Sequence, residues 1–178
     1  DTILIAANLI VSLQQIVSRN NDPFNPSVLS ITSVQGGYTT NVIPSEVKLM
    51  GTFRAMNEVW RFKAHELITQ LAMGAEIDLK IDVGYPFVLN NDALCAASRT
   101  IAEAYLGADN IEETELRMGA EDFAFYSHQI PGCFYRLGVG NKVKGISIGV
   151  HTPTFNVDEN AIEIGVGMMA VFGAIGGM

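Results

Sequence analysis

Residues 46–55, Glu-Val-Lys-Leu-Met-Gly-Thr-Phe-Arg-Ala, alternate with the period of a strand. Val47, Leu49, Gly51 and Phe53 fall on one face and Lys48, Met50, Thr52 and Arg54 on the other, so one side of a sheet is buried. Upstream, Ser27–Gln35 (SVLSITSVQ) alternates too and is rich in β-branched residues, which predicts a second strand. Gly36 to Asn41 (GGYTTN) is loop chemistry, closed by Val42-Ile43-Pro44-Ser45. Before this pair, Ile3, Ala6, Ile10, Leu13 and Ile16 recur at helical spacing, with Asp1 as cap and an end near Arg19. After it, Asn57 caps a helix to about Met73, with Gly74 as the stop. Ala75–Gly84 (AEIDLKIDVG) alternates again, with Ile77, Leu79, Ile81 and Val83 on one face. The order helix, strand, strand, helix, strand lacks only a first strand to complete a βαββαβ, ferredoxin-like unit.

The pattern changes at Tyr85–Asn91. Asp92–Leu106 is an alanine-rich helix, Thr114–Met118 a short extended piece or strand, and Glu121–Gln129 a short helix. Cys133–Leu137 and Ile146–Val150 are short apolar strands, and a last helix begins at Ala161, capped by Asp158 or Asn156. Strands alternating with helices place this half in the α/β class, although the strands are too few to close a sheet.

Composition fits a packed globular protein: 48% of the 178 residues are apolar and 17% charged. A net charge of −8 argues against nucleic acid, whose phosphates demand Lys and Arg. Cys95 and Cys133 sit in apolar contexts and read as buried free thiols of a reducing compartment. No secretory signal or membrane span is recognised. The uncharged tail from Ile164 is shorter than the ~20 residues a bilayer needs. The chain opens on Asp1 without methionine and enters a helix at once, which suggests part of a longer protein.

Four residues stand out chemically. His151 lies between the apolar run Ile146–Val150 and the last helix, and Thr152-Pro153 blocks an immediate helix after it. A histidine on such a short, stiff loop has the address of a ligand or catalytic group, and equally of a structural residue. Arg54 lies near the end of its strand and Asn41 in the loop before it, and an antiparallel return would bring them close. A guanidinium and an amide together bind carboxylates; apart, they are a surface arginine and a turn asparagine. Glu121, in Gly119-Ala120-Glu121-Asp122, either complements a helix dipole or projects into a cleft beyond a strand end. The glycines at 138, 140 and 145 fit neither a dinucleotide fingerprint nor a P-loop. His65 and His128 read as ordinary surface or interface residues. Neither cysteine has a histidine partner at a zinc-finger or cysteine-protease spacing.

LQQIVSRNNDP (13–23), NVIPSEVKLMGTFRAMN (41–57), RMGAEDFAFY (117–126), PGCFYRLGVGN (131–141) and HTPTFNVDENAIEIGVGMMA (151–170) occur in that order. As a set they resemble the bacterial amidohydrolases of the dinuclear metallopeptidase group, which includes N-acyl-amino-acid amidohydrolases, hippurate hydrolases and plant auxin-conjugate hydrolases. The resemblance implies a ferredoxin-like lid domain over residues 1–86 that lacks its first strand and mediates dimerisation. Residues 87–178 would then be the carboxyl-terminal part of an α/β catalytic domain. By the same resemblance His151 is the last metal ligand, and Asn41 and Arg54 hold the substrate's carboxylate and carbonyl region. Glu121 borders the active site and is counted with the substrate-binding residues.

The implied protein is a cytoplasmic amidohydrolase with two divalent metal ions (Zn, Mn, Ni or Co). It hydrolyses the amide bond of N-acyl amino acids and works as a homodimer, with no nucleic acid or membrane partner. The family's other metal ligands, its general-base glutamate and a lid histidine have no counterpart here. The chain alone is therefore expected to be inactive, with no catalytic residue of its own. The alternative is a non-catalytic dimerisation or small-carboxylate-binding module derived from the same fold.

Overall fold

The computed structural model describes residues 1–74 and 77–175. Asp1 does what its position predicts. Its carboxylate accepts hydrogen bonds from the backbone N–H of Ile3 (3.0 Å) and Leu4 (3.3 Å), satisfying two otherwise unpaired donors at the start of α1, Thr2–Asn20. β1 (Ser27–Gln35) and β2 (Lys48–Ala55) pair antiparallel, Ser27 opposite Ala55 and Gln35 opposite Lys48. A register shift between Ile31 and Ser33 marks a bulge, and Gly51 lies opposite Ile31. A Cβ at Gly51 would come within 2.6 Å of the Ser30 carbonyl oxygen, so the bulge excludes any side chain there. Asn57 accepts from Trp60 N–H at 2.9 Å and starts α2, Glu58–Met73.

α1 packs on β1, α2 on β2, and the two helices on each other. Leu13, Ile16, Ala55, Trp60 and Ala64 form the core, lined by Leu29, Ile31 and Phe53 from the inward face of the hairpin. By length and composition alone α1 would also cross a membrane, against the expectation of no such segment. Its buried Ala6, Leu13 and Ile16 form the inward stripe of the helix, while Ile3, Leu4, Ile5 and Val11 stay exposed.

The third expected strand does not form over its described part. Ala75 and Glu76 lie outside the described residues, and 77–84 make no strand, so the described sheet is the two-stranded hairpin. The ferredoxin-like reading is corrected accordingly. Alternation states which face of a segment would be buried, but a strand also needs a neighbour to take its backbone hydrogen bonds. Here Leu79 and Val83 are exposed, and the segment's end is held instead by Arg61 Nη1 donating to the Gly84 carbonyl at 3.4 Å.

The chain divides into two units, Asp1–Phe87 with Leu116–Asp122, and Val88–Glu115 with Phe123–Met178. In the second, Asn91 caps α3 (Asp92–Leu106) by accepting from Leu94 N–H at 2.9 Å, and Gly107, at φ +86°, ends it. A 3-10 turn (Ala108–Asn110), α4 (Phe123–Ser127) and α5 (Asn160–Ile175) follow, and α3 packs on α5. α4 is shorter than the helix expected over Glu121–Gln129. Thr114–Met118, Cys133–Leu137 and Ile146–Val150 are not strands; the pairing near them is one isolated bridge, Asn141 to Ile146. These runs are apolar, but no described segment lies alongside them to complete a ladder.

Candidate functional site

His151 stands on the loop between residues 149 and 157 with φ +66°, and among the described residues it is the non-glycine residue in the left-handed region. That conformation crowds a Cβ, costing on the order of 1 kcal/mol, and persists where the surroundings impose it. The loop is turned by Thr152, whose hydroxyl donates to the Gly149 carbonyl at 3.0 Å while its own carbonyl accepts from Phe155 N–H at 3.2 Å. The expected buried strand before His151 is instead exposed at Ile148 and Val150, and so is His151 itself.

The far end of the loop is fixed by a cluster that the sequence hinted at only through Asp158. Its buried carboxylate accepts from Asn141 Nδ2 and Lys144 Nζ, both at 2.6 Å, and from Asn160 N–H at 3.3 Å. The Asp158 N–H donates to the Val139 carbonyl at 2.8 Å. The hydrogen bond from Lys144, then that from Asn141, hold the Asp158 carboxyl below its ordinary range. Asn141 in turn accepts from Val143 and Lys144 N–H, closing the turn that brings Lys144 round. An Asn-x-x-Lys turn ahead of a helix-capping aspartate was the available signal, and it is a weak one.

Arg54 and Asn41 both belong to the first unit, but the hairpin separates them. Arg54 pairs with Val28, at the end of the hairpin away from the loop that carries Asn41. Arg54 lies six residues along the strand from Lys48, which is roughly 20 Å. The neighbours agree: Met56 N–H donates to the Pro26 carbonyl beyond the end of α1, whereas Asn41 shares an open cleft of about 750 Å³ with Asp1 and Ile3 at its start. The expected approach of the two across an antiparallel return is therefore corrected, because the return carries Arg54 away from the loop. Arg54 Nη1 donates to the Met118 carbonyl at 2.7 Å, tying the strand to residues 116–122. Glu121, half-buried in that same segment, precedes α4 by two residues and so lies outside its first turn. Asn41 Oδ1 accepts from the Thr39 hydroxyl at 2.9 Å.

His65, expected as an ordinary surface or interface residue, is half-buried on α2 with its ring edge-on to Phe53 and Phe62. Burial, then the nearby Arg61, lower its pKa. Cys95 and Cys133 are half-buried free thiols.

No three His, Cys, Asp or Glu side chains come together among the described residues in a way that could hold a metal ion. His151 is at most one donor of a centre, so the residues present do not fit a resident metal by themselves.

Comparison with known proteins decides the lineage. The model of peptidase family M20/M25/M40 matches residues 10–172. The chain belongs to that family. Among M20 relatives, the IAA-amino acid hydrolase ILR1-like 4 of Arabidopsis thaliana is 34% identical over 96% of this chain and 41% of its own length. The N-acetyldiaminopimelate deacetylase of Exiguobacterium sibiricum is 34% identical over 95% of this chain and 45% of its own. A crystal structure of the Bacillus subtilis YXEP protein, a dinuclear metal-binding peptidase of the M20 family, superposes with a TM-score of 0.72 at 29% identity, covering 96% of this chain and 45% of that one. The chain thus spans about two fifths of the length of the curated M20 relatives it matches.

Proposed function

We propose that this chain forms part of a metal-dependent amidohydrolase acting on N-acyl amino acids, and that it supplies the grip on the substrate's carboxylate. The family match carries the reading. The relatives' names supply its chemistry: an IAA-amino acid, an N-acetyldiaminopimelate and the substrate of a carboxypeptidase all bear a free carboxylate next to an amide. Arg54 is the residue suited to it. Nη1 is engaged with Met118, and the rest of the guanidinium fork remains for a bidentate carboxylate. His151, held in a conformation that ordinary loops avoid, is the residue suited to complete a metal shell whose other donors come from outside the described residues. The metal would polarise the amide; Arg54 and Asn41 bind and orient, and Glu121 borders the substrate. Residues 1–86 serve in this proposal as the lid and dimerising part, and 87–178 as the metal-bearing part. Because one chain separates Arg54 from Asn41, a single small substrate meets both only if two copies each contribute one, which favours a homodimer.

The test is Arg54→Ala in the protein as encoded by its gene. KM for N-acyl amino acids should rise about 10-fold or more at similar kcat, the loss of a charge-assisted bidentate contact. An unchanged KM removes Arg54 from this role, and hydrolysis that survives chelation removes the metal. The absence of a three-donor cluster among the described residues favours one second reading, a carboxylate-binding module without catalysis. Calorimetric titration of the protein as encoded by its gene with an N-acyl amino acid, first with chelator and then with added divalent metal, separates the two, since on adding metal the enzyme turns the ligand over and the module still only binds it.

A further inference from the structure

The segment after Pro131 is stitched to the start of α3. Asn91 N–H donates to the Gly132 carbonyl at 2.8 Å. Asn90 closes a ring on Phe134: its Oδ1 accepts from Phe134 N–H at 2.7 Å and its Nδ2 donates to the Phe134 carbonyl at 3.1 Å. Cys133 lies between these two anchored residues. Cys95 lies one helical turn above Asn91, its N–H bonded to the Asn91 carbonyl at 2.9 Å. Two thiols far apart in sequence are thereby brought together, and the Cys95 side chain has Cys133 as its hydrogen-bond partner. Both are free and half-buried, sheltered from bulky reagents but within reach of small ones.

We propose that Cys95 and Cys133 are a reversible redox pair, closed to a disulfide by a low-molecular-weight disulfide such as oxidised glutathione. Neither sulfur enters the roles proposed for Arg54, Asn41, Glu121 and His151, so the pair stands apart from the carboxylate and metal residues. Burial first, and the contact with Cys133 second, push the Cys95 thiol up to about 12, so it stays protonated at neutral pH and is the slower nucleophile. Exchange therefore begins at Cys133. Its sulfur attacks one sulfur of the oxidant, forming a mixed disulfide and releasing one thiolate. Cys95 then gives its proton to solvent and attacks Sγ of Cys133, expelling the second thiolate. The two protein thiols lose two electrons and two protons, and one oxidant disulfide becomes two thiols. The bond would clamp the second turn of α3 to residues 132–134, in a unit where the buried apolar residues are Ala102, Ala124, Ala161 and Met168.

The test uses the full chain, incubated with excess oxidised glutathione at mildly alkaline pH, quenched in acid, alkylated and mapped without reduction. Both cysteines should become inaccessible to alkylation, and their peptides should run as one cross-linked pair that dithiothreitol separates. The thermal midpoint of the oxidised protein should lie roughly 5–10 °C above that of the reduced protein. Cys95→Ser should stop at a stable glutathione adduct on Cys133. A wild-type chain that keeps a persistent glutathione adduct, cross-links only to other chains, or still alkylates at both positions overturns the proposal. So does an adduct that accumulates on Cys95 in Cys133→Ser while Cys133 stays unmodified in Cys95→Ser. The wild-type map decides the first question even if a variant folds poorly.

Discussion

The two units solve the same burial problem with different success. In the first, a hairpin and two helices share one core in which Leu13, Ile16 and Trp60 are buried and the backbone of both strands is paired. In the second, alanines and one methionine are buried, while Ile148, Val150, Ile162, Val166 and Met169 stay exposed. Exposed apolar residues occur in both units, Leu4 and Val11 among them in the first. What differs is whether a neighbour exists: the turn between β1 and β2 returns the chain on itself, whereas the runs at 133–137 and 146–150 have no strand beside them among the described residues. Hydrophobicity thus marks a surface for burial, and topology decides whether the burial takes place within the chain.

The strongest way to break this contrast is a matched pair of truncations. Ile16→Ala removes a side chain that is 1% exposed and should cost about 3 kcal/mol in chemical denaturation. Val150→Ala removes one that is 61% exposed and should change stability by less than about 0.5 kcal/mol. A comparable cost at Val150 would mean that the exposed run is covered in solution, by self-association or by a partner, and the two units would no longer differ in kind.

A pair of glycines sharpens it further. Gly51→Ala drives a Cβ toward the Ser30 backbone oxygen, which cannot move without breaking the bulge, so a loss of about 1–3 kcal/mol is expected. Gly167→Ala, within α5, collides with the end of the Tyr105 ring instead, and Tyr105 is 45% exposed and free to swing away. The helix gains nearly 1 kcal/mol when glycine becomes alanine. The two terms nearly cancel, and the variant should unfold within about 1 kcal/mol of wild type. A large loss at Gly167 would show that the α3–α5 contact is as tightly packed as the hairpin.

This contrast also explains what could be read in advance. Caps and periodicities are local: Asp1, Asn57 and Gly74 bound their helices as read, and Ser27–Gln35 is the strand it was expected to be. The strands that failed, over residues 77–84, 133–137 and 146–150, each depended on a partner outside the segment, which no pattern within it can report. The site shows the same divide. His151 was visible as a histidine before Thr-Pro, but its left-handed backbone and the Asn141–Asp158–Lys144 cluster near its loop depend on contacts made across the turn. The separation of Asn41 from Arg54 follows from register, which the alternation of one strand leaves open.

The subtlest difference between the units is their response to acid. His65, in the first, has a pKa below its ordinary 6.5, so its folded form stays neutral where the unfolded chain has already bound a proton. Its contribution to stability is fully present above 6.5 and is lost as pH falls from there toward the lowered folded value. Asp158, in the second, has a pKa below its ordinary 3.8, so its contribution holds above 3.8 and is lost only as pH falls through the still lower folded value. Amide exchange in α2 should therefore accelerate between neutral pH and 5, after correction for intrinsic rates, while the Asn141–Ile146 turn keeps its protection until the pH drops below 4. His65→Gln should flatten the first response alone, and Lys144→Met should weaken the second alone. If both regions lost protection together, they would be opening as one cooperative body, and the division into a self-sufficient and a dependent unit would fail on thermodynamic grounds.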